Sequence, residues 1–357
     1  VHRPPGDGRL ASRAPQPPPV DSGADMRIFV TGGAGFIGSN YVRHRLDSHP
    51  DDTVRVLDKL TYAGRRENLE GNPQDRWELV EADIADREAV AGAIEGCDAV
   101  VNFAAESHVD RSIEAPGEFI TTDVYGTYVL LEAARDVGVR HLQVSTDEVY
   151  GDFEMGTATE ESPLNPSSPY SASKAGGDLL VSAFARTYGS EALIIRASNN
   201  YGPRQHPEKL IPLCVLNALA GDQLPVYGDG MQVRNWLYVD DCCAAVDAVL
   251  ERGEPGEVYN VGGPDELPNI EVVRRILALT DRDESLISYV TDRPGHDRRY
   301  SLSAARLEAL GWKAAVSFDE GVERTVTWYR DNARWWEPIR SGEYRQYYER
   351  QYGNALK

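Results

Sequence analysis

Short apolar runs alternate with stretches of helical spacing along most of the chain. RIFVTGG, TVRVLDK, WELVEADI, DAVVNFAA, HLQVST and EALIIRASN read as strands. Between them, FIGSNYVRHRL, DREAVAGAIEG, residues 117–136 and SPYSASKAGGDLLVSAFARTYG have the apolar spacing of helices. Strands that alternate with helices predict βαβ units, and therefore an α/β fold with a doubly wound parallel sheet.

One strand ends in an unusual way. RHLQVS (140–145) alternates apolar and polar residues, which predicts a half-buried strand. A strand end normally turns to solvent through Gly, Asn or Pro. Here the chain delivers Thr146, Asp147 and Glu148 first, and a glycine comes only at Gly151. A hydroxyl and two carboxyl groups side by side at the end of a strand indicate a reactive site.

The rhythm of strands and helices breaks after residue 200. Pro, Gly and charged residues dominate the next segments, before a helix (239–251) and the strand EVYNVGG rejoin the predicted sheet. We therefore predict a nucleotide-binding body made of residues 26–199 and 236–264. Residues 200–235 and 265–357 are expected to form a smaller, discontinuous substrate-binding lobe.

The N-terminal segment differs in composition from the rest. Residues 1–25 are rich in Pro, Gly and Arg and contain no apolar core of a secretory signal. They predict a disordered tail, with Met26 as the expected true start.

Composition excludes several classes of partner. The 357 residues carry a formal charge of −20, which argues against nucleic acid or an anionic membrane as the main partner. No apolar run approaches the roughly 20 residues that span a bilayer. The four cysteines have no metal-ligand spacing, and Cys242 and Cys243 are adjacent. A reducing cytoplasm and no metal are therefore expected.

A glycine loop follows the first strand. TGGAGFIG contains Gly33-x-Gly35-x-x-Gly38 between a strand and a helix, where glycines let backbone N–H groups approach a pyrophosphate. Asp58 closes the second strand, and a carboxylate there binds an adenosine ribose and repels the extra phosphate of NADP. The alternative is a glycine turn with an incidental aspartate. The pattern favours a Rossmann-type sheet that binds NAD.

A second pair of residues follows the reactive strand. Tyr170 and Lys174 are four residues apart, so both lie on one helix face. An ammonium near a phenol favours the phenolate, which is a useful base. The chain contains few lysines but uses arginine freely, so a lysine here indicates that a compact ammonium is needed. Ordinary surface packing is the alternative.

These motifs together resemble a known family. TGGAGFIG, NFAAESHVDRSI, STDEVYG and YSASK resemble the extended short-chain dehydrogenase/reductase family. STDEVYG, SNNYGPRQHPEKLIP and RPGHDRRY are more narrowly similar to the dTDP-glucose 4,6-dehydratases within it. The resemblance implies oxidation of a nucleotide sugar at carbon 4 by NAD, elimination of water across carbons 5 and 6, and return of the hydride to carbon 6.

The resemblance also implies catalytic roles. Tyr170, supported by Lys174, takes the proton of the carbon-4 hydroxyl, and Thr146 hydrogen-bonds the carbon-4 oxygen. Asp147 is the acid for the departing hydroxyl and Glu148 the base for carbon 5, because neighbouring carboxyl groups can hold different protonation states. The alternative is that both acids are solvated loop charges.

Further contacts are expected from the same resemblance. Those with the cofactor are Gly32, Gly35, Phe36, Ile37, Gly38, Asp58, Lys59, Leu60, Thr61, Asp83, Ile84, Phe103, Ala104, Ala105, Ser107, Thr122, Tyr170, Lys174 and Asn200. Those with the nucleotide sugar are Ser107, Thr146, Asn199, Lys209, Leu210, Pro225, Val226, Tyr227, Arg234, Asn269, His296, Arg299 and Tyr300. Arg234, Arg298 and Arg299 are expected counter-charges for a diphosphate, although solvated arginines are common.

The chain departs from the family pattern at four positions. Arg65 and Asp123 stand where Asn is usual, Asn235 where Asp is common, and Cys242 where His is common. These departures leave the finer substrate contacts, and the choice between dTDP and UDP, open. A related sugar epimerase or uronate decarboxylase, and a non-catalytic dinucleotide-sensing protein, are the alternative functions.

A homodimer is expected by analogy. Members of this family pair through two long helices, which here are residues 117–136 and the helix that carries Tyr170. Val129, Leu130, Leu179 and Val181 either supply that face or belong to the core.

Overall fold

The computed structural model of the protein describes residues 25–153, 155–341, 348, 351 and 352. The strands in this part of the chain are β1 (Arg27–Thr31), β2 (Thr53–Asp58), β3 (Trp77–Glu81), β4 (Ala99–Asn102), β5 (Arg140–Thr146), β6 (Ala192–Ala197), β7 (Asn199–Tyr201), β8 (Leu224–Tyr227), β9 (Val233–Tyr238), β10 (Val258–Val261), β11 (Asp265–Pro268) and β12 (Ile287–Val290).

The helices connect these strands and cover them. They are α1 (Phe36–Ser48), α2 (Arg87–Ile94), α3 (Val109–Glu114), α4 (Pro116–Phe119), α5 (Thr127–Val137), α6 (Pro169–Tyr188), α7 (Leu210–Ala220), α8 (Val239–Arg252), α9 (Asn269–Leu279), α10 (Ala305–Ala309), α11 (Phe318–Asp331) and α12 (Ala333–Arg340). A π-helical segment, Ile120–Gly126, joins α4 to α5 into one long helix.

Seven strands form one parallel sheet in the order β10-β6-β5-β4-β1-β2-β3. Side chains alternate between its faces, since Ile28 and Val30 of β1 pack with α1 and α8, whereas Phe29 packs with α2 and α5. Helices therefore cover both faces. The predicted α/β fold with a doubly wound, Rossmann-type parallel sheet is confirmed.

A second apolar core lies outside this sheet. It is formed by α7, α9 and α11 together with residues of β7, β8 and β9. Two small sheets accompany it, one of order β11-β9-β7 and one that pairs β12 with β8. The proposed division of the chain between body and lobe stays a prediction, and the predicted tail at residues 1–25 lies almost wholly outside the described residues.

One expectation needs correction. Strand β5 is buried along its whole length, not on one face only, because it lies between β4 and β6 under helices on both sides. Its polar residues have partners: Arg140 pairs with Glu191 at 3.1 Å, and Gln143 accepts a hydrogen bond from Asn102. In the segments after residue 200, where the alternation of strands and helices was expected to break, the chain forms β7, α7, β8 and β9.

Val129, Leu130, Leu179 and Val181 were expected either to supply a dimer face or to belong to the core. Val129, Leu130 and Val181 are core residues, at most 3% exposed, whereas Leu179 is 62% exposed. Only Leu179 of these four is therefore available to a partner.

Among the helices of the described residues, none is long and apolar enough to cross a membrane.

Candidate active site

The loop between β1 and α1 is shaped by its glycines. Gly32 has a φ of +68°, and a Cβ there would lie 2.5 Å from the backbone nitrogen of Ala104. A Cβ on Gly38 would lie 2.3 Å from the carbonyl oxygen of Gly32. Helix α1 begins directly after Gly35, which offers no side-chain cap. The N–H groups of its first turn therefore face the loop, as in anion sites at helix N-termini.

Asp58 is held at the end of β2. Its carboxylate accepts hydrogen bonds from the backbone N–H groups of Ala34 at 3.0 Å and Leu60 at 2.8 Å. Burial raises the pKa of Asp58, and these two donors oppose that shift. Each carboxylate oxygen has further lone pairs, so the fixed group can still accept hydrogen bonds from ribose hydroxyls.

A long cleft runs from the glycine loop across the carboxyl ends of the strands. It contains about 1490 Å³ of space free of protein atoms, part of it open to solvent. Of the residues predicted to contact the cofactor, Leu60 alone is absent from its lining; the others are Gly32, Gly35, Phe36, Ile37, Gly38, Asp58, Lys59, Thr61, Asp83, Ile84, Phe103, Ala104, Ala105, Ser107, Thr122, Tyr170, Lys174 and Asn200.

The cleft wall also presents unsatisfied acceptors. Asn199 Oδ1 and Gln205 Oε1 are buried and have no hydrogen-bond partner among the described residues. Buried polar atoms normally have partners, so these atoms are suited to a bound molecule with hydrogen-bond donors. Together with the glycine loop and Asp58, they fit a dinucleotide.

The residues at the end of β5 meet the cofactor cleft. Thr146 and Glu148 line it, together with Tyr170 and Lys174 of α6, while Asp147 lies behind the lining. Thr146 Oγ1 accepts from the Glu148 N–H and donates to Asp147 Oδ1, both at 3.3 Å. A 3₁₀ turn, Asp147–Tyr150, carries the two acids away from the strand. All five predicted catalytic residues therefore lie in one place.

The two acids have different surroundings. Burial, and then the charge of Glu148, raise the pKa of Asp147 to about 8. Asp147 Oδ2 is buried without a partner in the described part of the chain. Burial also raises the pKa of Glu148, but the positive charges of Arg293, Arg234 and Lys209 oppose that shift. Of the two acids, the arrangement therefore favours Asp147 as the one that keeps its proton.

The proposed role of Tyr170 as a base stays a prediction, and the surroundings of its phenol differ from those expected. The pKa of Tyr170 is well above its usual value, mainly because of burial and then because of Glu148 and Asp123, while a hydrogen bond with Thr146 lowers it. Lys174 donates from Nζ to the carbonyl of Val144 at 2.8 Å. Burial and the nearby acids therefore favour the neutral phenol of Tyr170.

The residues predicted for the substrate are spread more widely. Ser107, Thr146, Asn199 and Lys209 line the cleft, and Lys209 Nζ donates to the carbonyl of Ser107 at 2.5 Å. The rest lie outside its lining: Leu210 begins α7, Pro225, Val226 and Tyr227 belong to β8, Arg234 to β9 and Asn269 to α9, and His296, Arg299 and Tyr300 follow β12.

The arginines expected near the diphosphate are not equivalent. Arg234 is buried, and its guanidinium lies 4.2 Å from the centre of the Tyr300 ring. Arg298 pairs with Asp229 at 2.9 Å, and Arg299 pairs with Glu266 at 2.8 Å. The last two are therefore occupied by protein partners.

Sequence reasoning passed over Arg293. Its guanidinium lies 3.5 Å from Asp110, and its charge opposes the rise in the pKa of Glu148 that burial causes. It opens the motif RPGHDRRY, of which only the later residues were singled out. His206 and Glu208 also line the cleft and were missed.

The departures from the family pattern have local partners. Arg65 donates to the carbonyl of Trp335 at 2.8 Å. Asn235 donates to the carbonyl of Gly263 at 2.9 Å and accepts from its N–H at 2.6 Å. An amide supplies both the donor and the acceptor, whereas an ionised carboxylate supplies only acceptors. Cys242 is buried and hydrogen-bonded to Asn200.

Among the residues that the structure describes, no group of three or more His, Cys, Asp or Glu side chains is placed to hold a metal ion. The site is therefore described by its glycine loop, acids, tyrosine and lysine alone.

A parallel sheet with this glycine loop, and a tyrosine four residues before a lysine in the same cleft, define the class of the protein as an extended short-chain dehydrogenase/reductase. The chain belongs to the GDP-mannose 4,6 dehydratase family, whose model matches residues 29–325.

Known proteins of this kind resemble the chain over most of its length. The low-salt glycan biosynthesis protein Agl12 of Haloferax volcanii is 53% identical over 308 residues, which cover 85% of this chain and 98% of that protein. The dTDP-glucose 4,6-dehydratase of Mycobacterium tuberculosis is 49% identical over 330 residues, or 91% and 99% of the two chains.

A solved structure shares the fold. DesIV, a dTDP-glucose 4,6-dehydratase of Streptomyces venezuelae with NAD and dTDP bound, superimposes with a TM-score of 0.85. It is 52% identical and covers 88% of this chain and 100% of its own.

Proposed function

We propose that the protein is an NAD-dependent dTDP-glucose 4,6-dehydratase, a hydro-lyase that forms dTDP-4-keto-6-deoxyglucose. One observation carries the proposal: Glu148, Tyr170 and Lys174 line one cleft, and Asp147 is buried directly behind its wall. Positive charges oppose the raised pKa of Glu148, so Asp147 is the better proton donor of the two acids. An epimerase has no need of such an acid–base pair. The names and the identities of the relatives support the same reaction.

The glycine loop and Asp58 would hold NAD, which supplies a reversible acceptor for the hydride exchanged with the sugar. Tyr170 accepts the proton of the carbon-4 hydroxyl, whose oxygen Thr146 hydrogen-bonds. Burial of Tyr170 disfavours its phenolate. The positive charge of Lys174, one helical turn away, favours the phenolate and therefore assists this step.

The acids act on the resulting ketone. A carbonyl at carbon 4 acidifies the hydrogen on carbon 5, which Glu148 removes. Asp147 gives its proton to the hydroxyl on carbon 6, which leaves as water. The oxidation at carbon 4 and the reduction at carbon 6 cancel, so the sugar loses one water and the cofactor is not consumed.

A substrate panel tests the reaction class. The purified protein is mixed with dTDP-glucose, UDP-glucose, GDP-mannose or UDP-glucuronate, and the products are separated by chromatography and identified by mass spectrometry. We expect loss of one water from dTDP-glucose, with Tyr170→Phe as the inactive control. A product of unchanged mass but different chromatographic retention means an epimerase, and loss of carbon dioxide from UDP-glucuronate means a decarboxylase. Unaltered sugars with bound NAD mean a dinucleotide-sensing protein.

Isotope labelling tests the internal transfer. Substrate deuterated at carbon 4 should give a product with deuterium at carbon 6, and hydrogen from water at carbon 5, because Glu148 exchanges with solvent. Steady accumulation of NADH with an oxidised, undehydrated sugar would mean an ordinary dehydrogenase.

We also propose a homodimer that pairs through the long helix 116–137 and α6. These helices carry five of the exposed large apolar side chains of the described residues: Ile120, Tyr125, Val137, Leu179 and Tyr188. Light scattering should give twice the chain mass of about 39 kDa. Leu179→Arg should give the monomer, while Tyr289→Arg, at an exposed site in β12, should not. A monomer at micromolar concentration for the unmodified protein contradicts the proposal.

We propose the cytoplasm as its location. All four cysteines are free and buried, as is usual in a reducing compartment. Cell fractionation with an antibody should recover the protein with cytoplasmic enzymes, and recovery with the membrane fraction would contradict this.

A further inference from the structure

Asp123 lies next to the catalytic helix, in the π-helical segment between α4 and α5, and is 2% exposed. Its Oδ1 accepts a hydrogen bond from the backbone N–H of Glu106 at 3.2 Å. Its Oδ2 lies 2.6 Å from Oγ of Ser173, which stands directly before Lys174 in α6. The carboxyl group therefore contacts both the wall of the cofactor cleft and the helix that carries Tyr170.

The contacts of Ser173 require two protons. Ser173 Oγ lies 2.6 Å from Asp123 Oδ2 and 2.7 Å from the carbonyl oxygen of Tyr170. A hydroxyl has one proton to donate. If Asp123 is ionised, one of these two short contacts joins two acceptors with no proton between them. If Asp123 is protonated, its hydroxyl donates to Ser173, and Ser173 donates to the Tyr170 carbonyl, so both contacts are satisfied.

The number of protons that these two hydrogen bonds need explains how an aspartate can replace the usual asparagine at position 123. An asparagine there would donate from its NH₂ group to Ser173 and accept from the Glu106 N–H with its oxygen. A protonated carboxyl group has the same donor and the same acceptor. An ionised carboxylate keeps the acceptor and loses the donor.

We propose that Asp123 is a positioning residue that works in its protonated form, in which it holds Ser173 and the first turn of α6, and that its ionisation slows the reaction at Tyr170. The claim that ionisation of Asp123 slows the reaction rests on the proposed role of Tyr170 as the base. The claim that Asp123 holds Ser173 in its protonated form is independent of that role.

The charged groups around Asp123 bear on its ionisation. Lys174 from α6 favours the carboxylate, while the carboxylate of Glu106, itself 3.2 Å from Lys59 Nζ, disfavours it. Burial is the largest effect and raises the pKa of Asp123 to about 6, against the opposing effects of Lys174, Ser173 and the Glu106 N–H. Ionised Asp123 in turn raises the pKa of Tyr170. Near neutral pH the carboxylate therefore opposes loss of the tyrosine proton.

Asp123→Asn tests the rate. The variant keeps the donor and the acceptor but cannot ionise, so it should match the unmodified protein at about pH 5. At about pH 8 it should exceed the unmodified kcat by about tenfold, because no charge at position 123 then raises the pKa of Tyr170. The ratio of the two rates should follow a single-proton titration, with KM changed much less than kcat. A ratio that is constant over this range overturns the proposed effect on rate.

Infrared spectroscopy tests protonation without turnover. The difference spectrum between the unmodified protein and Asp123→Asn at about pH 5 should contain the C=O stretch of a protonated carboxyl group. That band should disappear as the pH rises, while the contribution of Asp147 cancels because both proteins contain it. Absence of the band at low pH overturns the proposal whether or not the protein is a dehydratase.

Ser173→Ala provides a second variant that keeps Asp123. Without Ser173 the protonated carboxyl group loses its acceptor, so the band should move to higher frequency. A band at the same frequency in both proteins overturns the proposed hydrogen bond, even if Asp123→Asn does not fold.

Discussion

At the scale of single residues, adjacent carboxyl groups have separate environments. Asp147 is buried behind the cleft, with one oxygen lacking a partner among the described residues. Glu148 lines the cleft under the influence of Arg293, Arg234 and Lys209. Burial favours the protonated form of a carboxyl group, and nearby positive charges favour its ionised form. The same residue types therefore supply an acid and a base.

Two substitutions should separate the oxidation from the elimination. Tyr170→Phe removes the base for the carbon-4 hydroxyl, so no NADH absorbance should appear when dTDP-glucose is mixed with the NAD-loaded enzyme. Asp147→Asn keeps that base but is a poor proton donor, so NADH should form and persist while turnover falls by about 10²–10⁴-fold. Stopped-flow absorbance measures both. Equal suppression of the absorbance in the two variants would refute the separate roles.

Asp147 should also lower stability as the pH rises. Its pKa in the folded protein, about 8, exceeds the ordinary aspartate value of ~3.9, so between these values the folded state binds more protons than the unfolded state. Stability then falls with rising pH through this window. Asp147→Asn removes this dependence and should be more stable at pH ~8, by on the order of 1–2 kcal/mol.

Urea unfolding at several pH values, with NAD present throughout, measures this difference. Asp152→Asn, at an exposed position in the following loop, is the control and should leave the pH dependence unchanged. An Asp147→Asn protein that loses stability with pH in parallel with the unmodified one would show that Asp147 ionises normally.

At the scale of elements, the cofactor site depends on how closely α1 approaches the loop after β1. The close contact of Gly38 with the Gly32 carbonyl leaves no room for a side chain. Because the obstructing atom is backbone, the helix itself must move to admit one. The position of α1, and with it the anion site at its N-terminus, is therefore set by glycine 38.

Gly38→Ala should displace α1 from the loop. We expect a loss of stability of about 1–3 kcal/mol, as for other overpacked positions, and a loss of NAD retained through purification. Gly92→Ala in α2 is the matched control, because a Cβ there meets no atom within 4 Å; it should stabilise the protein by about 0.5–1 kcal/mol. Thermal unfolding and the nicotinamide released on denaturation measure both. Full NAD content in Gly38→Ala would contradict the steric argument.

At the scale of the whole molecule, charge opposes compactness. The chain carries 57 acidic against 37 basic residues, and a net charge far from zero repels itself in the folded state. Buried pairs are screened little by salt. One of these joins α1 to its surroundings, since Arg45 is 2% exposed and lies 2.6 Å from Asp52 and 3.0 Å from Asp247. Salt should therefore act mainly on the repulsive surface.

Added salt should stabilise the protein. Raising NaCl from about 0.1 M to about 1 M shortens the Debye length from about 10 Å to about 3 Å. We therefore expect the urea concentration at the unfolding midpoint to rise, and the free energy of unfolding to increase by about 1 kcal/mol or more. Urea is the denaturant because it adds no ions. A midpoint that is unchanged or lower in salt would mean that attractive surface pairs outweigh the net repulsion.

The sequence by itself determined the features that depend on local spacing. The order of strands and helices, the glycine loop, Asp58 at a strand end and the Tyr170–Lys174 pair each occupy a short stretch, in which periodicity and residue type already fix the geometry. The acids after β5 could be located for the same reason. Most of the residues predicted to contact the cofactor line one cleft, because the ends of parallel strands meet at one edge of the sheet.

Only the tertiary structure decided what depends on neighbours remote in the chain. It buries the polar residues of β5 between two other strands and pairs Arg299 with Glu266. It also raises the pKa of Tyr170, since burial and nearby acids are set by packing. Asp123 was visible in the sequence only as a departure from a pattern. Its contacts with Ser173, 50 residues away, and with Glu106 exist only after folding, so its protonation state does too.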